Sequence, residues 1–259
     1  MKRLWKLLDV EPHEEGPVGL LLAISFLMGL FLATVAVASQ SYYLKYFDER
    51  TQLPKAILYS GAAGILTTLI YNFLQGRIQF KLLAILNILV VIFLTGVIEF
   101  GDAYVSDVRF LYQFGFILIL PFTFATQLVF WGSFARMFNV RDAKRLVGSV
   151  DIGMNIASII AFFAIPVMLS FGVQQKALYT IGLFSIIGML GLFIVLSSKY
   201  LTTDRLAVKS ETDIKKLGLF QFLGNKYILL LSAFIIISTV ALRFIDYSFY
   251  NISITQFDP

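Results

Sequence analysis

Long apolar segments constrain this chain more than any other feature. A membrane-spanning helix needs about 20 mostly apolar residues. The sequence has seven stretches of this kind, at residues 18–40, 56–74, 82–100, 110–134, 147–171, 177–196 and 227–245. They predict an all-α polytopic membrane protein. We expect residues 18–198 to form a six-helix transporter-like bundle and the seventh stretch to be a further transmembrane helix.

The composition agrees with a chain that lies in the lipid bilayer. Of its 259 residues, 58% are hydrophobic and 14% are charged, whereas a soluble domain has roughly 25% charged residues. The net charge of +5 indicates basic cytoplasmic loops and no nucleic-acid partner. The sequence contains no cysteine, which excludes disulfides and thiolate metal sites within it.

Lysines and arginines are concentrated in segments that would share one side of the membrane. With the amino terminus inside, the inner segments up to span five contain Lys2, Arg3, Lys6, Arg77, Lys81, Arg136, Arg141, Lys144 and Arg145. The outer segments contain fewer, namely Lys45, Arg50, Lys55, Arg109 and Lys176. Because cytoplasmic loops are enriched in these residues, we expect a cytoplasmic amino terminus.

The segments outside the spans divide the chain. Residues 1–17 contain Trp5 beside basic side chains, which favours an interfacial helix; a frayed basic terminus is the alternative. Residues 199–226 are polar and charged and predict a cytoplasmic linker, after which residues 227–259 begin a second bundle. This layout is typical of two-repeat transporters, so we expect a C-terminal transmembrane or soluble part to be missing.

Catalytic patterns are not found in the sequence. It has no Gly-rich phosphate loop of the Walker type, no Gly-x-Ser-x-Gly and no His-Glu-x-x-His. The one histidine, His13, lies among acidic residues and proline before the first span, and a metal site needs several donors. We therefore expect no enzyme activity, no catalytic residues, no metal and no cofactor.

Span five contains two features that interhelical contacts would explain. Asp151 and Asn155 lie four residues apart, and a carboxylate inside a span needs a partner, a wet cavity or a solvated helix end. Arg136 or Arg145 of the preceding turn is a candidate partner that would latch the inner side, although positive-inside charge alone also explains both arginines. Small residues form a stripe that favours close helix packing: Ser149, Gly153, Ala157 and Ala161.

Spans four and seven contain further polar positions. Pro121 removes a backbone donor and predicts a bend in span four. Gln113 and Gln127 in this span suit either cavity lining or interhelical hydrogen bonds. Arg243 and Asp246, near the outer end of span seven, are spaced to pair with each other or to engage an earlier helix as an outer gate. Candidate partners for that arginine are Glu99 and Asp102.

The turn between spans four and five resembles a known family. Its residues Phe130-Trp131-Gly132, Ala135, Asp142-Ala143-Lys144-Arg145, Gly148 and Gly153-Met154-Asn155 resemble the nucleotide transporters, the ATP/ADP-translocase-like carriers related to the major facilitator superfamily. The resemblance implies a twelve-span fold of two six-helix bundles, of which this chain supplies the first bundle and the start of the second. It also implies a bacterial inner membrane protein. The small residue usual in those carriers is replaced here by Asp151.

These observations predict a membrane transporter that moves a small metabolite by alternating access. The resemblance implies that this metabolite is anionic and nucleotide-like. Candidate substrate-binding residues are Gln40, Gln113, Gln127 and Asn155, and candidate gating or ion-pair residues are Arg136, Arg145, Asp151, Arg243 and Asp246. The alternative is a non-transporting membrane anchor or scaffold that holds a partner protein or a missing C-terminal domain.

Overall fold

The structure is a computed structural model, and it describes Trp5, residues 9–47, 49–105 and 107–201, Gly224 and residues 226–256. The side chains of residues 49–51, 243, 250–251 and 253–256 lie outside this description. Regular structure in the described part is helical. The helices are α1 Glu15–Tyr46, α2 Glu49–Gln75, α3 Phe80–Phe100, α4 Val108–Ile117, α5 Ile119–Met137, α6 Val140–Ser170, α7 Ala177–Tyr200 and α8 Lys226–Gln256, with a 3₁₀ turn at Gly101–Ala103.

These helices confirm the prediction of an all-α membrane protein. Six of the described helices are long and apolar enough to cross a membrane, and the count rises to seven if α4 and α5 together form one bent span. Each predicted span lies within one helix, to within one residue at its ends, except that the fourth is split between two helices. Several helices extend well beyond the apolar segment that predicted them.

The fourth span is broken three residues before its proline. α4 ends at Ile117, α5 begins at Ile119, and their axes differ by 42°. Pro121 has no N–H, and its ring would clash with the carbonyl of Ile117 in a continuous helix. Because proline is tolerated in a first turn, the chain breaks at Leu118 and starts a new helix. The predicted bend is confirmed.

Helix α1 forms the centre of the bundle. It packs most extensively against α6 and α7, and also against α4 and α5. Its buried side chains point in several directions around the axis and include Val18, Ile24, Met28, Phe31 and Val35. A helix that is hydrophobic all round either is surrounded by other helices or spans a membrane, so its sequence permits the central position of α1, and its contacts with four other helices establish it.

Two glycines bring α1 and α6 close together. A Cβ atom on Gly29 would lie 2.5 Å from the carbonyl oxygen of Met154. A Cβ atom on Gly153 would collide with Ser25 Oγ and lie 2.6 Å from the carbonyl oxygen of Leu22. Ala157 and Ala161 are buried on the same side of α6. The predicted close packing of the small-residue stripe is therefore confirmed for its glycine and both alanines.

Helix α2 is held much more loosely than its neighbours. Gly64 approaches Phe124 and Leu120 of α5, but many large side chains of α2 are exposed: Leu58, Ile65, Leu66, Leu69 and Phe73. By contrast, α3 is tied to α5 by a hydrogen bond from Asn87 Nδ2 to the carbonyl oxygen of Ala125, 2.9 Å long.

The chain divides into two compact units, Met1–Asp48 with Lys55–Thr203, and Glu49–Pro54 with Asp204–Pro259. The six-span bundle lies in the first unit. In the second, α8 has the length and hydropathy of a membrane span. The predicted linker at 199–226 lies mostly outside the described residues, as does most of the predicted interfacial segment before Asp9.

Candidate functional site

Polar side chains of the bundle gather at its two ends and along two helix faces. One end carries the turns at residues 76–79 and 138–139 and the segment before α1, and we call it the basic end. The opposite end carries the turns at residues 101–107 and 171–176. This arrangement follows from the alternating direction of successive spans.

Arg145 organises the basic end by binding the segment that precedes α1. Its Nη2 donates to both carboxylate oxygens of Glu14, at 2.7 and 2.8 Å. Its Nη1 donates to the carbonyl oxygen of Asp9 at 2.7 Å. Glu14 is only 3% exposed and also accepts from the backbone N–H of Glu11 at 3.0 Å. A buried carboxylate needs such partners, so Arg145 anchors this segment to α6.

The predicted pairing of Arg145 with Asp151 is not the one found in this structure. Side chains on a helix lean toward its amino terminus, so Arg145 points away from Asp151, which lies six residues further along α6. That direction leads to Glu14. Asp151 instead lies next to Asn155, whose Nδ2 is 3.4 Å from Asp151 Oδ2.

Asp151 and Asn155 form a polar pair on an otherwise apolar face of α6. Asn155 is exposed and Asp151 is half-buried. The neighbouring side chains on this part of the helix are exposed apolar ones, Ile152 and Ile156. A 3.4 Å contact is a long hydrogen bond, so the pair retains much of its capacity to bind water, solute or another helix.

Arg136 also has partners other than Asp151. Its Nη1 donates to the carbonyl oxygen of Gly132 at 2.9 Å, and its guanidinium lies 3.8 Å from the ring centroid of Phe80. Arg77 lies similarly over Phe73, at 4.1 Å. Both arginines are thus stacked on aromatic rings at the basic end.

A groove of about 580 Å³ runs between α2 and α5. Its walls are mainly apolar, and its lining includes Ile65, Leu69, Phe124, Leu128 and Trp131. Thr68, Gln75 and Gln127 also line it, which places one predicted substrate-binding residue in this groove. Tyr71 closes one side, and its hydroxyl is buried with no hydrogen-bond partner among the described residues.

A column of tyrosines occupies the opposite end of the bundle. Tyr42 of α1 stacks on Tyr112 of α4, with ring centroids 4.3 Å apart and planes 4° from parallel. Tyr46 continues the stack on Tyr112 at 5.2 Å, and Tyr179 of α7 stacks on Tyr42 at 6.2 Å. Tyr179 also shares a 3.0 Å hydrogen bond with Ser39. The residues Gln40 and Gln113 lie on these same helices at the level of the column.

Glu99 is a buried carboxyl group close to this column. It is 5% exposed, and its Oε1 accepts from Thr180 at 2.6 Å. Its Oε2 is buried without a hydrogen-bond partner in the described part of the chain. Nearby, Lys176 Nζ binds Asp102 Oδ2 at 2.6 Å, and this hydrogen bond raises the pKa of Lys176 above its ordinary value of 10.5.

Within the bundle, Glu99 therefore binds Thr180, and Asp102 binds Lys176. The sequence had made both carboxylates candidate partners of Arg243 instead. The side chain of Arg243 lies outside the described residues. Asp246 is half-buried on α8. Their predicted pairing stays a prediction.

The structure distributes the predicted substrate-binding residues over three places. Gln40 and Gln113 are at the opposite end, Gln127 is in the groove, and Asn155 is on α6. The tyrosine column and the Arg145–Glu14 pair were not predicted. The spacing of Tyr42 and Tyr46 by one helical turn was a signal for the column, but nothing near Glu14 in the sequence indicates its burial.

Comparisons with protein-family models, curated proteins and solved structures returned no match.

Proposed function

We propose that this bundle is the first half of a transporter that moves a small anionic metabolite by alternating access. The observation that supports the proposal best is the pattern of contacts among its six spans, which are α1, α2, α3, the α4–α5 pair, α6 and α7. Span one packs against spans five, six and four, and span four packs against span three. Spans three and six also pack together, and Gly64 joins spans two and four.

The same pairs of spans are obtained when spans one, two and three are exchanged with spans four, five and six, although the two–four contact is much smaller than the one–five contact. The one–five contact becomes the four–two contact, the one–six contact becomes the four–three contact, and the three–six and one–four contacts become themselves. Three is an odd number of spans, so the second triplet crosses the membrane in the opposite direction. Inverted triplets of this kind build each half of many secondary transporters.

The broken fourth span and the polar pair on α6 add to this support. Transporters bind their substrates where membrane helices are interrupted, and α4 and α5 are separated at Leu118. Polar side chains inside spans face a partner or a water-filled cavity, which suits the exposed pair Asp151 and Asn155. We assign this face of α6 to the solute path.

The class of solute in this proposal rests on the resemblance to nucleotide carriers and on charge. Arginines and lysines gather at the basic end, including Arg77, Arg136 and Arg145, and would attract anions toward that entrance. A bundle placed in a bacterial inner membrane with this end in the cytoplasm would obey the positive-inside rule. ATP and ADP are the first solutes to test.

The absence of cysteine from the sequence makes a direct test of the solute path simple. Asn155→Cys introduces one thiol on the proposed path, and Phe163→Cys introduces a matched thiol on the same helix at an apolar position that is 77% exposed. A charged, membrane-impermeant methanethiosulfonate is applied to the full chain in native membranes. We expect it to modify the thiol at position 155 and not the one at 163.

Transport is measured with the whole protein, in which the proposed second bundle completes the solute path, reconstituted in proteoliposomes, as uptake of radiolabelled ATP or ADP. We expect uptake that Asp151→Asn reduces and that modification of the thiol at position 155 blocks. If position 155 is as unreactive as position 163 and no uptake occurs, the transporter proposal is wrong and the membrane anchor is favoured. A reactive thiol without nucleotide uptake would reject nucleotides as the solute.

A further inference from the structure

We propose that the groove between α2 and α5 binds one anionic phospholipid, with an acyl chain in the groove and the headgroup phosphate at Arg136 and Arg77. The site is distinct from the proposed solute path on α6. It rests on three observations: the shape of the groove, the two arginines at its mouth, and a buried hydroxyl without a partner.

The groove has the shape and the walls that an acyl chain needs. Its lining runs from Ile65 to Gln75 on α2 and from Phe124 to Gly132 on α5. At 1.5 Å per residue, these stretches extend about 12–15 Å along the helices, parallel to the direction of lipid tails. The volume of about 580 Å³ lies within the usual range for ligand sites, which is about 300–1,000 Å³.

The mouth of the groove is positively charged. Gln75 and Gly132 mark its lining at the basic end, and the next turn of each chain segment carries Arg77 and Arg136. Both guanidiniums are held over aromatic rings, at 4.1 and 3.8 Å. Neither makes an ion pair with a carboxylate among the described residues. Basic pockets between membrane helices bind anionic lipid headgroups in this way.

Tyr71 provides a third indication of a bound polar group. Its side chain is 5% exposed, and its hydroxyl lacks a hydrogen-bond partner among the described residues. It lies one helical turn before Gln75, toward the basic end of the groove. A buried hydroxyl normally has a partner, and the ester or phosphate oxygens of a lipid at this depth would supply one.

Trp131 makes this proposal directly testable because it lines the groove. The chain has two tryptophans, so Trp5→Phe leaves Trp131 as the only one. The full-length variant is placed in nanodiscs of phosphatidylcholine that contain either brominated phosphatidylglycerol or brominated phosphatidylcholine at the same mole fraction. Bromine quenches tryptophan fluorescence on contact, so quenching reports which lipid occupies the groove.

We expect brominated phosphatidylglycerol to quench Trp131 more strongly than brominated phosphatidylcholine, and added salt to reduce the difference. Arg136→Gln is expected to lower the preference for the anionic lipid about five-fold, the effect of one cation on an anionic headgroup. Arg141→Gln is the matched control, because it removes the same charge from an exposed position at the same end. Thr68→Phe, which narrows the groove, should reduce quenching by both lipids.

Equal quenching by the two brominated lipids in the parent protein would overturn the proposal, even if Arg136→Gln fails to fold. A preference that Arg136→Gln and Arg141→Gln reduce equally would reject Arg136 as the headgroup site and overturn it as well. Strong quenching of Trp131 by aqueous iodide would show a water-filled groove and would have the same consequence. None of these outcomes depends on transport, so the lipid site and the proposed function can fail separately.

Discussion

The close approach of α1 and α6 at Gly153 leads to a prediction with an internal control. Gly153 and Gly148 lie on the same helix, but only the first has a close neighbour. A Cβ atom on Gly153 would collide with Ser25 Oγ and would lie 2.6 Å from the carbonyl oxygen of Leu22. A Cβ atom on Gly148 would have no neighbour within 4 Å. We therefore expect Gly→Ala to have opposite effects on stability at the two positions.

Three contributions set the unfolding free energies of the two variants, and two of them differ between the variants. Alanine in a helix interior is favoured over glycine by about 0.5–1 kcal/mol, and this gain is common to both variants. Overpacking at Gly153 costs about 1–3 kcal/mol. The 2.9 Å hydrogen bond from Ser25 Oγ to the Val150 carbonyl oxygen would be strained, at about 0.6 kcal/mol within a membrane. Gly153→Ala should therefore be less stable than Gly148→Ala by about 1.5–3.5 kcal/mol.

Unfolding of the purified full chain in mixed micelles, titrated with dodecyl sulfate, measures this difference. Adding Ser25→Gly to Gly153→Ala should recover part of the loss, because it removes the hydroxyl that the new methyl group meets. It cannot recover all of it, since the carbonyl oxygen of Leu22 remains. If Gly153→Ala is as stable as Gly148→Ala, the two helices are not as close as the structure places them.

Two further predictions concern the ends of the bundle. Arg145→Gln leaves the buried Glu14 without its ion pair and should lower the unfolding free energy by about 3–5 kcal/mol. Arg141→Gln, the control, should change it by less than about 0.5 kcal/mol. The titration with dodecyl sulfate measures both variants. Because binding to Asp102 raises the pKa of Lys176, the stability from this pair is fully present below the unfolded value of 10.5. This stability is lost as pH rises through the higher pKa of Lys176 in the folded protein. Above that pH the thermal midpoint should therefore fall more steeply in the parent than in Asp102→Asn. If the midpoint falls equally steeply with pH in both proteins, the Lys176–Asp102 pair does not stabilise the fold.

The number and position of the helices could be predicted from the sequence because they are local properties. A helix in lipid satisfies its backbone polar groups within its own segment, so an apolar run is sufficient to indicate a span. The break before Pro121 is also local, since a missing N–H and a steric clash act within one turn. The small residues around Gly153 indicated which face of α6 packs closely, although they did not identify α1 as the partner.

The partners of the polar side chains were decided only by the tertiary structure. Proximity in sequence made Arg136 and Arg145 the candidate partners of Asp151, yet Arg145 binds Glu14, 131 positions away. The tyrosine column likewise joins three helices, and the groove lies where α2 packs loosely against α5. Rotation and tilt of membrane helices are set by packing against neighbours, and no single segment contains that information. The sequence therefore determined which segments cross the membrane, and packing between them determined which side chains meet.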